Sequence, residues 1–286
     1  MVRNQRGIFI SLHRNANSSW LLGDSGYNSW YLKWSKTFID YLKATNDPRL
    51  KHIARTNVWI NQVGSSIPTN ASNGEPAVQK GLPNGFNEST INDGFSIFYH
   101  PSWAGPVGDV ANGMNRYSSQ NPAMIARNSL TYFLTIAESE LLLAEAAQRW
   151  GSAFGTAKAH YDAGVTAAMA SLSQFNASMT VTPSDISAYL ASNPFVPANA
   201  LEMINTQYWA ETGASLNFIE GWFNWRRSGY PVLVPVKYPG NITGGTVPRR
   251  YTYPVGEAAT NAENLSAAQA ALAGGDKWTS RMWWDK

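Results

Sequence analysis

The stretch LTYFLTIAESELLLAEAAQRW, residues 130–150, decides how the chain is read. Leu130, Phe133, Leu134, Ala137, Leu141 and Ala144 recur at helical spacing and make one apolar stripe. Gly151 follows as a C-terminal cap. A second helical pattern runs from Thr156 to Ser173, with Tyr161, Val165, Ala168, Met169 and Leu172 on one face. The linker between the two is short, so they are expected to pack antiparallel as a hairpin. Ala157-x3-Tyr161-x2-Gly164 has the small, aromatic, small spacing of the second helix of a tetratricopeptide unit. Such repeats are stable from about three stacked units upward, and one unit is plain here.

Outward from this hairpin the pattern changes. Residues 1–128 are rich in Asn, Gly, Ser and Pro, with one helical island, WSKTFIDYLKATNDPRL (34–50). Trp34, Phe38, Tyr41, Leu42 and Thr45 share a face there, and Asn46-Asp47-Pro48 stops the helix because the residue before proline is pushed out of the helical region. Between Asn61 and Asn128 the chain is polar and punctuated: GSSIPTNASNGEP, GLPNGFN, NDGFSIFYHPSWAGP. Long segments of this kind are uncommon in compact domains and are often functional. Beyond the hairpin, Thr182-Pro183-Ser184-Asp185 reads as an N-cap with proline in the first turn. ALEMINTQYWAE then places Leu201, Ile204 and Tyr208 in phase. In SLNFIEGWFNWRR, Leu216, Ile219, Trp222 and Phe223 read as a core stripe, with Arg226 and Arg227 as favourable helix-end charges and Gly229 and Pro231 as the stop. Residues 229–286 return to irregular structure. Within them Arg250 and Glu257 are expected to form the ion pair that ties the segment down. The architecture is thus mostly α, with long decorated loops, read as one domain over 1–286.

Composition narrows the function. Hydrophobic residues make up 44% and charged residues 14% of 286, with a net charge of +3. That is a globular, lightly charged chain without the basic stripe of a nucleic-acid binder. With no cysteine, a disulfide framework, a thiolate zinc site and a thiol nucleophile are excluded within these residues. No apolar run approaches the roughly 18 residues of a membrane span, and Ile8-Phe9-Ile10 is too short for a signal-peptide core. There is no nucleophile elbow, phosphate-binding loop or dinucleotide fingerprint, and His13, His52, His100 and His160 show no metal-ligand spacing. No cofactor, metal or catalytic residue is assigned. Asp24, Asp93 and Asp109 lie in loops, where two carboxylates can serve a glycosidase if they meet in space and otherwise are simply solvated.

Aromatic side chains on loops are abundant instead. Trp20, Trp30, Phe98, Tyr99 and Trp103 lie outside the strong helical stripes, among Asn, Gly and Ser. Flat rings beside amide and hydroxyl donors suit a polyhydroxylated ligand such as a glycan. The same rings have a plainer reading, as pins that hold long loops to the core. In FSIFYHPSWAGP (95–106), Pro101 and Pro106 stiffen the backbone, and Asn112 and Arg116 follow closely. The candidate ligand residues are Trp103, Tyr99, Trp20, Trp30, Asn112 and Arg116.

Several segments together resemble the SusD/RagB family of Bacteroidetes outer-membrane nutrient-binding lipoproteins. They are SKTFIDYLKATNDPRL (35–50), GLPNGFN (81–87), ESELLLAEAAQRWG (138–151), AHYDAGVTAAMASL (159–172), MINTQYWAE (203–211), GWFNWRRSGYPVL (221–233), VPRRYTYPVGEAATNAENLSAA (247–268) and RMWWDK (281–286), in family order. The resemblance implies a SusD-like fold with tetratricopeptide-like helical hairpins as scaffold and long loops as ligand face. It implies binding rather than catalysis: capture of an oligosaccharide, or in some members a peptide, at the cell surface. Delivery then goes to a SusC-like TonB-dependent transporter, with the protein peripheral to the outer membrane. Family members extend further at the N-terminus, where the signal peptide and lipid-anchoring cysteine lie, so Met1 is expected to fall inside the family domain.

Overall fold

The computed structural model describes residues 32–58, 72–125, 129–236 and 238–285. They fall into two compact units, the larger ending at Val232 and the smaller beginning at Leu233. In the larger unit, α1 (Lys36–Ala44) leads into a one-turn α2 (Leu50–Ile53), and α3 (Val110–Asn115) closes a long loop region. Then come α4 (Ile136–Trp150), α5 (Ala157–Ala170), α6 (Pro183–Ser192), α7 (Ala200–Ala214) and α8 (Phe218–Ser228). Two short strands, β1 (Ala54–Arg55) and β2 (Ser119–Gln120), pair antiparallel with Ala54 opposite Gln120. The expected mostly helical architecture is present.

Helix α1 behaves as its pattern predicts. Ser35 caps it by accepting the Phe38 amide, and Trp34, Phe38 and Leu42 are fully buried. The Phe38 ring meets Trp209 of α7 edge-on at 5.1 Å, and the Trp34 indole donates to the Ile53 carbonyl at 3.1 Å. Just beyond α1, Asp47 and Arg49 form a fully buried ion pair, and Arg49 Nη2 donates to Gln207 of α7 at 3.0 Å. The Gln207 amide in turn donates to the hydroxyls of Tyr41 and Tyr189. Buried charge is tolerated because each partner is paired and hydrogen-bonded.

The α4/α5 hairpin is antiparallel: Tyr132 reaches the Ser171 carbonyl at one end, and Glu140 meets His160 at 2.6 Å towards the other. Tyr161, Val165, Ala168, Met169 and Leu172 are all buried. Gly164 allows the close approach, since a Cβ there would lie 2.8 Å from Leu141 Cγ. The start of α4 differs from expectation. Leu130, Phe133 and Leu134 are not part of the helix; all three are exposed, Phe133 at 93%. Thr135 and Glu138 form a capping box, each side chain accepting the other's backbone amide, and this reciprocal bonding starts the helix at Ile136.

Helix α8 also corrects the expected phase. Ile219 and Phe223 are exposed at 51% and 44%, and the buried face is Gly221, Asn224 and Trp225. The outer aromatics stack on each other, with the Arg226 guanidinium 4.4 Å from the Trp222 ring centre. Arg227 is not a mere helix-end charge. It makes two bonds to Glu145 of α4, at 2.6 and 2.7 Å, and donates to Asn224 and to Asn205 of α7. Asn224 also donates to Asn205, and Arg149 adds a third bond to Glu145. Gly229 ends α8 in the left-handed region, as its position predicts.

The smaller unit holds α9 (Glu257–Thr260) and α10 (Ala262–Ala270). Its buried arginine is Arg250, but the partner is Asp276 and not Glu257. Asp276 also accepts the Tyr253 amide and the Gln269 side chain. Glu257 opens α9, half-exposed, where its carboxylate lies near the helix N-terminus and accepts from Asn261. Arg249 and Arg281 share Asp285 near the end of the chain.

Two outcomes follow from these networks. Burial opposes ionisation of Glu145, yet the bonds from Arg227 and Arg149 hold its carboxyl at about 2 instead of 4.5. Its stabilising contribution is therefore complete above pH 4.5 and lost as pH falls through 2. Glu145→Ala should cost about 2–3 kcal/mol in denaturant unfolding at neutral pH, below the full buried-pair value because Arg227 remains partly solvated, and the gap from wild type should shrink on acidification. In the smaller unit, Asp276→Ala should lower the melting temperature and Glu257→Ala should leave it unchanged, both read by calorimetry.

Candidate functional site

The loop region 82–117 carries its own small core. Leu82, Ile97, Phe98, Met114 and Tyr117 are buried together, with Phe86, Trp103, Val110 and Ala111 packed against them. Short polar side chains shape the backbone around it. Asn87 Oδ1 accepts the Ser89 amide, and Asp93 Oδ1 accepts the Phe95 amide. Ser96 caps the single turn Ile97–Tyr99. Asp109 caps α3, accepting both the backbone amide and the side-chain amide of Asn112. Such Asx-type bonds fix turns without a regular ladder.

Of the predicted ligand residues, four lie within the described chain. Tyr99 is 43% exposed, its hydroxyl donating to the Thr90 carbonyl at 2.8 Å. Trp103 is half-buried: its ring meets Phe98 edge-on at 5.0 Å, and its indole donates to the Pro106 carbonyl at 3.1 Å. A Cβ on Gly113 would lie 2.1 Å from the Trp103 ring, so this glycine makes room for it. Trp103 thus holds the loop to α3. Asn112 and Arg116 lie one turn apart at the end of that same helix, and the Asn112 amide is engaged by Asp109. Arg116 is exposed. Trp20 and Trp30 lie outside the described residues. The loop acids Asp93 and Asp109 hold turns, as above, and Asp24 also lies outside the described residues.

Sequence reading gave no ligand role to four further residues beside this core: His100, Ser102, Tyr117 and Lys80. His100 Nδ1 accepts the Ser102 amide at 3.0 Å and lies 2.6 Å from Ser102 Oγ, which in turn lies 2.9 Å from the Tyr117 hydroxyl. Because Nδ1 accepts, the imidazole proton sits on Nε2. Burial, then Lys36 and Lys80, lower the His100 pKa and favour this neutral form. The Lys80 ammonium lies 5.7 Å from the centre of the Tyr117 ring. Only His100 carried any sign in the sequence, as the residue between Tyr99 and Pro101. Among the described residues no cluster of three His, Asp or Glu is placed to hold a metal ion, and no helix is long and apolar enough to cross a membrane.

A family model described as SusD-like, starch-binding and associating with the outer membrane, matches residues 1–254. Among solved structures, a chitin-binding protein is 31% identical with a TM-score of 0.70, over 91% of this chain and 51% of that one. An outer-membrane protein from Bacteroides vulgatus assigned to nutrient binding is 23% identical, TM-score 0.69, over 97% and 56%. A chitin-binding SusD homologue from Flavobacterium johnsoniae is 21% identical, TM-score 0.59, over 91% and 51%. The chain spans about half the length of these structures. No significant match is found among proteins with curated functions.

The packing of Trp103 sets a measurable outcome. Trp103→Ala should lower unfolding stability by about 2–3 kcal/mol, less than for a fully buried ring. Gly113→Ala should destabilise in the same direction, because the new methyl displaces the indole. Unchanged unfolding midpoints in both variants would show that the ring does not anchor the loop.

Proposed function

The chain belongs to the SusD-like family of starch-binding proteins that associate with the outer membrane, and from that membership we propose that it captures oligosaccharides at the cell surface for a SusC-like TonB-dependent transporter. The observation that carries this reading is the loop platform of 82–117. It is a stiff, separately cored segment that presents a half-exposed Tyr99, the edge of Trp103 and the end of α3 to solvent. A preformed aromatic surface loses little ordering entropy on binding, and ring faces cover the apolar side of a sugar while neighbouring donors bond its hydroxyls. The chitin-binding relative at 31% identity supports a glycan over a peptide as ligand class. Tyr99, Trp103, Asn112 and Arg116 are the proposed contacts in the described chain, with Trp20 and Trp30 completing the set from the N-terminal segment.

Binding proceeds without turnover in this reading, which the family membership and the use of Asp93 and Asp109 as turn and cap acceptors support. The test is calorimetric titration with chitin and starch oligosaccharides beside a peptide panel, followed by sizing of the bound sugar. Saturable sugar binding with unchanged chain length, and recovery of a TonB-dependent transporter from solubilised outer membrane, are the expected results. Binding of peptides alone, or shortening of the sugar that is lost in Asp93→Asn or Asp109→Asn, would overturn the proposal. Tyr99→Ala should weaken sugar affinity by about tenfold or more if its ring is a principal contact.

A further inference from the structure

Two cations beside the loop platform have no acid paired with them among the described residues. Four interact with one another or with His100: Lys36, Lys43, Lys80 and Arg116. Lys36 and Lys80 both act on His100, and Arg116 and Lys43 both act on Lys80. Two of the four are accounted for within the fold. Lys36 pairs with Asp40 one turn along α1. Lys43 donates to the carbonyls of Ala77 and Gln79, at 3.1 and 2.6 Å. Lys80 and Arg116 have no ion pair or side-chain hydrogen bond among the described residues. Partial burial, then the charges of Arg116 and Lys43, lower the Lys80 pKa.

This placement is costly unless something offsets it. Like charges brought together repel, and a chain with only 14% charged residues had ample room to keep them apart. Lys80 is instead held in position, its backbone amide donating to Ser118 Oγ and its carbonyl accepting the Ser118 amide, both at 2.8 Å. Its ammonium faces the Tyr117 ring, whose hydroxyl is tied through Ser102 to His100. The tautomer fixed by Ser102 leaves the His100 Nε2–H as a further donor. Two cations without an ion pair among the described residues and a neutral N–H donor therefore lie beside the aromatic platform.

We propose that Lys80, Arg116 and His100 form an anion subsite for an acidic oligosaccharide, taking a uronate carboxylate or a sulfate ester of the bound sugar. This rests on the glycan-binding reading and narrows it to a charged substrate class. Arg116 supplies the planar fork that matches a carboxylate or sulfate, and Lys80 supplies a point charge beside it. His100 donates to a ring hydroxyl of the same sugar residue. The neutral rings of Tyr99 and Trp103 lie on the same loop, so charge recognition and ring contact act on one ligand.

The test is calorimetric titration of the whole chain with an oligogalacturonate, its carboxyl-reduced counterpart, a sulfated chondroitin oligosaccharide, a neutral chitin oligosaccharide and inorganic sulfate. An acidic sugar should bind about tenfold or more tighter than its neutral counterpart, and the preference should weaken as salt is raised. Lys80→Gln and Arg116→Gln should each remove most of that preference without lowering the melting temperature, and Lys80→Gln should leave the affinity for the neutral sugar unchanged. Equal affinity for acidic and neutral forms, or a preference that survives both substitutions, overturns the subsite and leaves the glycan reading standing. Sulfate binding as tightly as any acidic sugar reduces the site to a bare anion contact and also overturns it. A chain that binds no sugar of either kind overturns the glycan reading along with it. The carboxyl-reduced arm needs no variant, so misfolding of a mutant does not blunt the result.

Discussion

The helical scaffold depends on one charged contact, the two-bond meeting of Arg227 with Glu145. Glu145 lies on α4, Arg227 on α8, and the same guanidinium reaches Asn205 on α7. Three helices that pack through largely non-specific apolar surface are thereby fixed in rotation and register. Area burial supplies most of the driving force in such a core but is non-directional. A bidentate guanidinium and carboxylate pair is directional, and its geometry permits little sliding. Asn224 completes the arrangement by bonding both Arg227 and Asn205, so no oxygen in the cluster is left to compete for water. The close approach of α7 and α8 that this requires is granted by Gly221, where a Cβ would lie 2.7 Å from Thr212 Oγ1.

That constraint explains where pattern reading succeeded and where it failed. The buried face of α5, the Thr182 cap of α6 and the α1 stripe were legible because apolar spacing and capping chemistry act locally. The phase of α8 was not, because its inward face is built on Asn224 and the Arg227 bonds, and periodicity of apolar residues is blind to a polar contact. Ile219 and Phe223 then look like core and prove to be outer surface. The early start expected for α4 is a different kind of error. Leu130, Phe133 and Leu134 fit helical spacing, but Thr135-x-x-Glu138 is a capping box written in the sequence and overrides them. The Arg250 partner had no signal of either kind, since Asp276 lies 26 positions away and any acid in the segment would have satisfied the one-dimensional argument.

The candidate site was legible in part for the same reason. Trp103, Tyr99, Asn112 and Arg116 stood out by residue type, and the structure gathers them on one loop and one short helix. It also separates their roles. Trp103 spends its indole N–H inside the loop and its ring against Gly113, and Asn112 spends its amide on Asp109. Both are chiefly parts of the platform. Tyr99 keeps an exposed ring, and Arg116 keeps an exposed guanidinium. Lys80 and His100 were invisible as a pair, because their proximity is created by the tertiary contacts of Ser118 and Ser102.

Charge is handled in more than one way along the chain. In the scaffold, Arg49 meets Asp47 and Arg227 meets Glu145, while the fully buried Lys33 ammonium donates to Ser119 Oγ. At the loop platform the carboxylates are spent on turns and caps, as with Asp93 and Asp109, while cations collect without them. In the proposed anion subsite, cations whose arrangement is unfavourable free and favourable with an anion bound give the surface selectivity for a charged ligand.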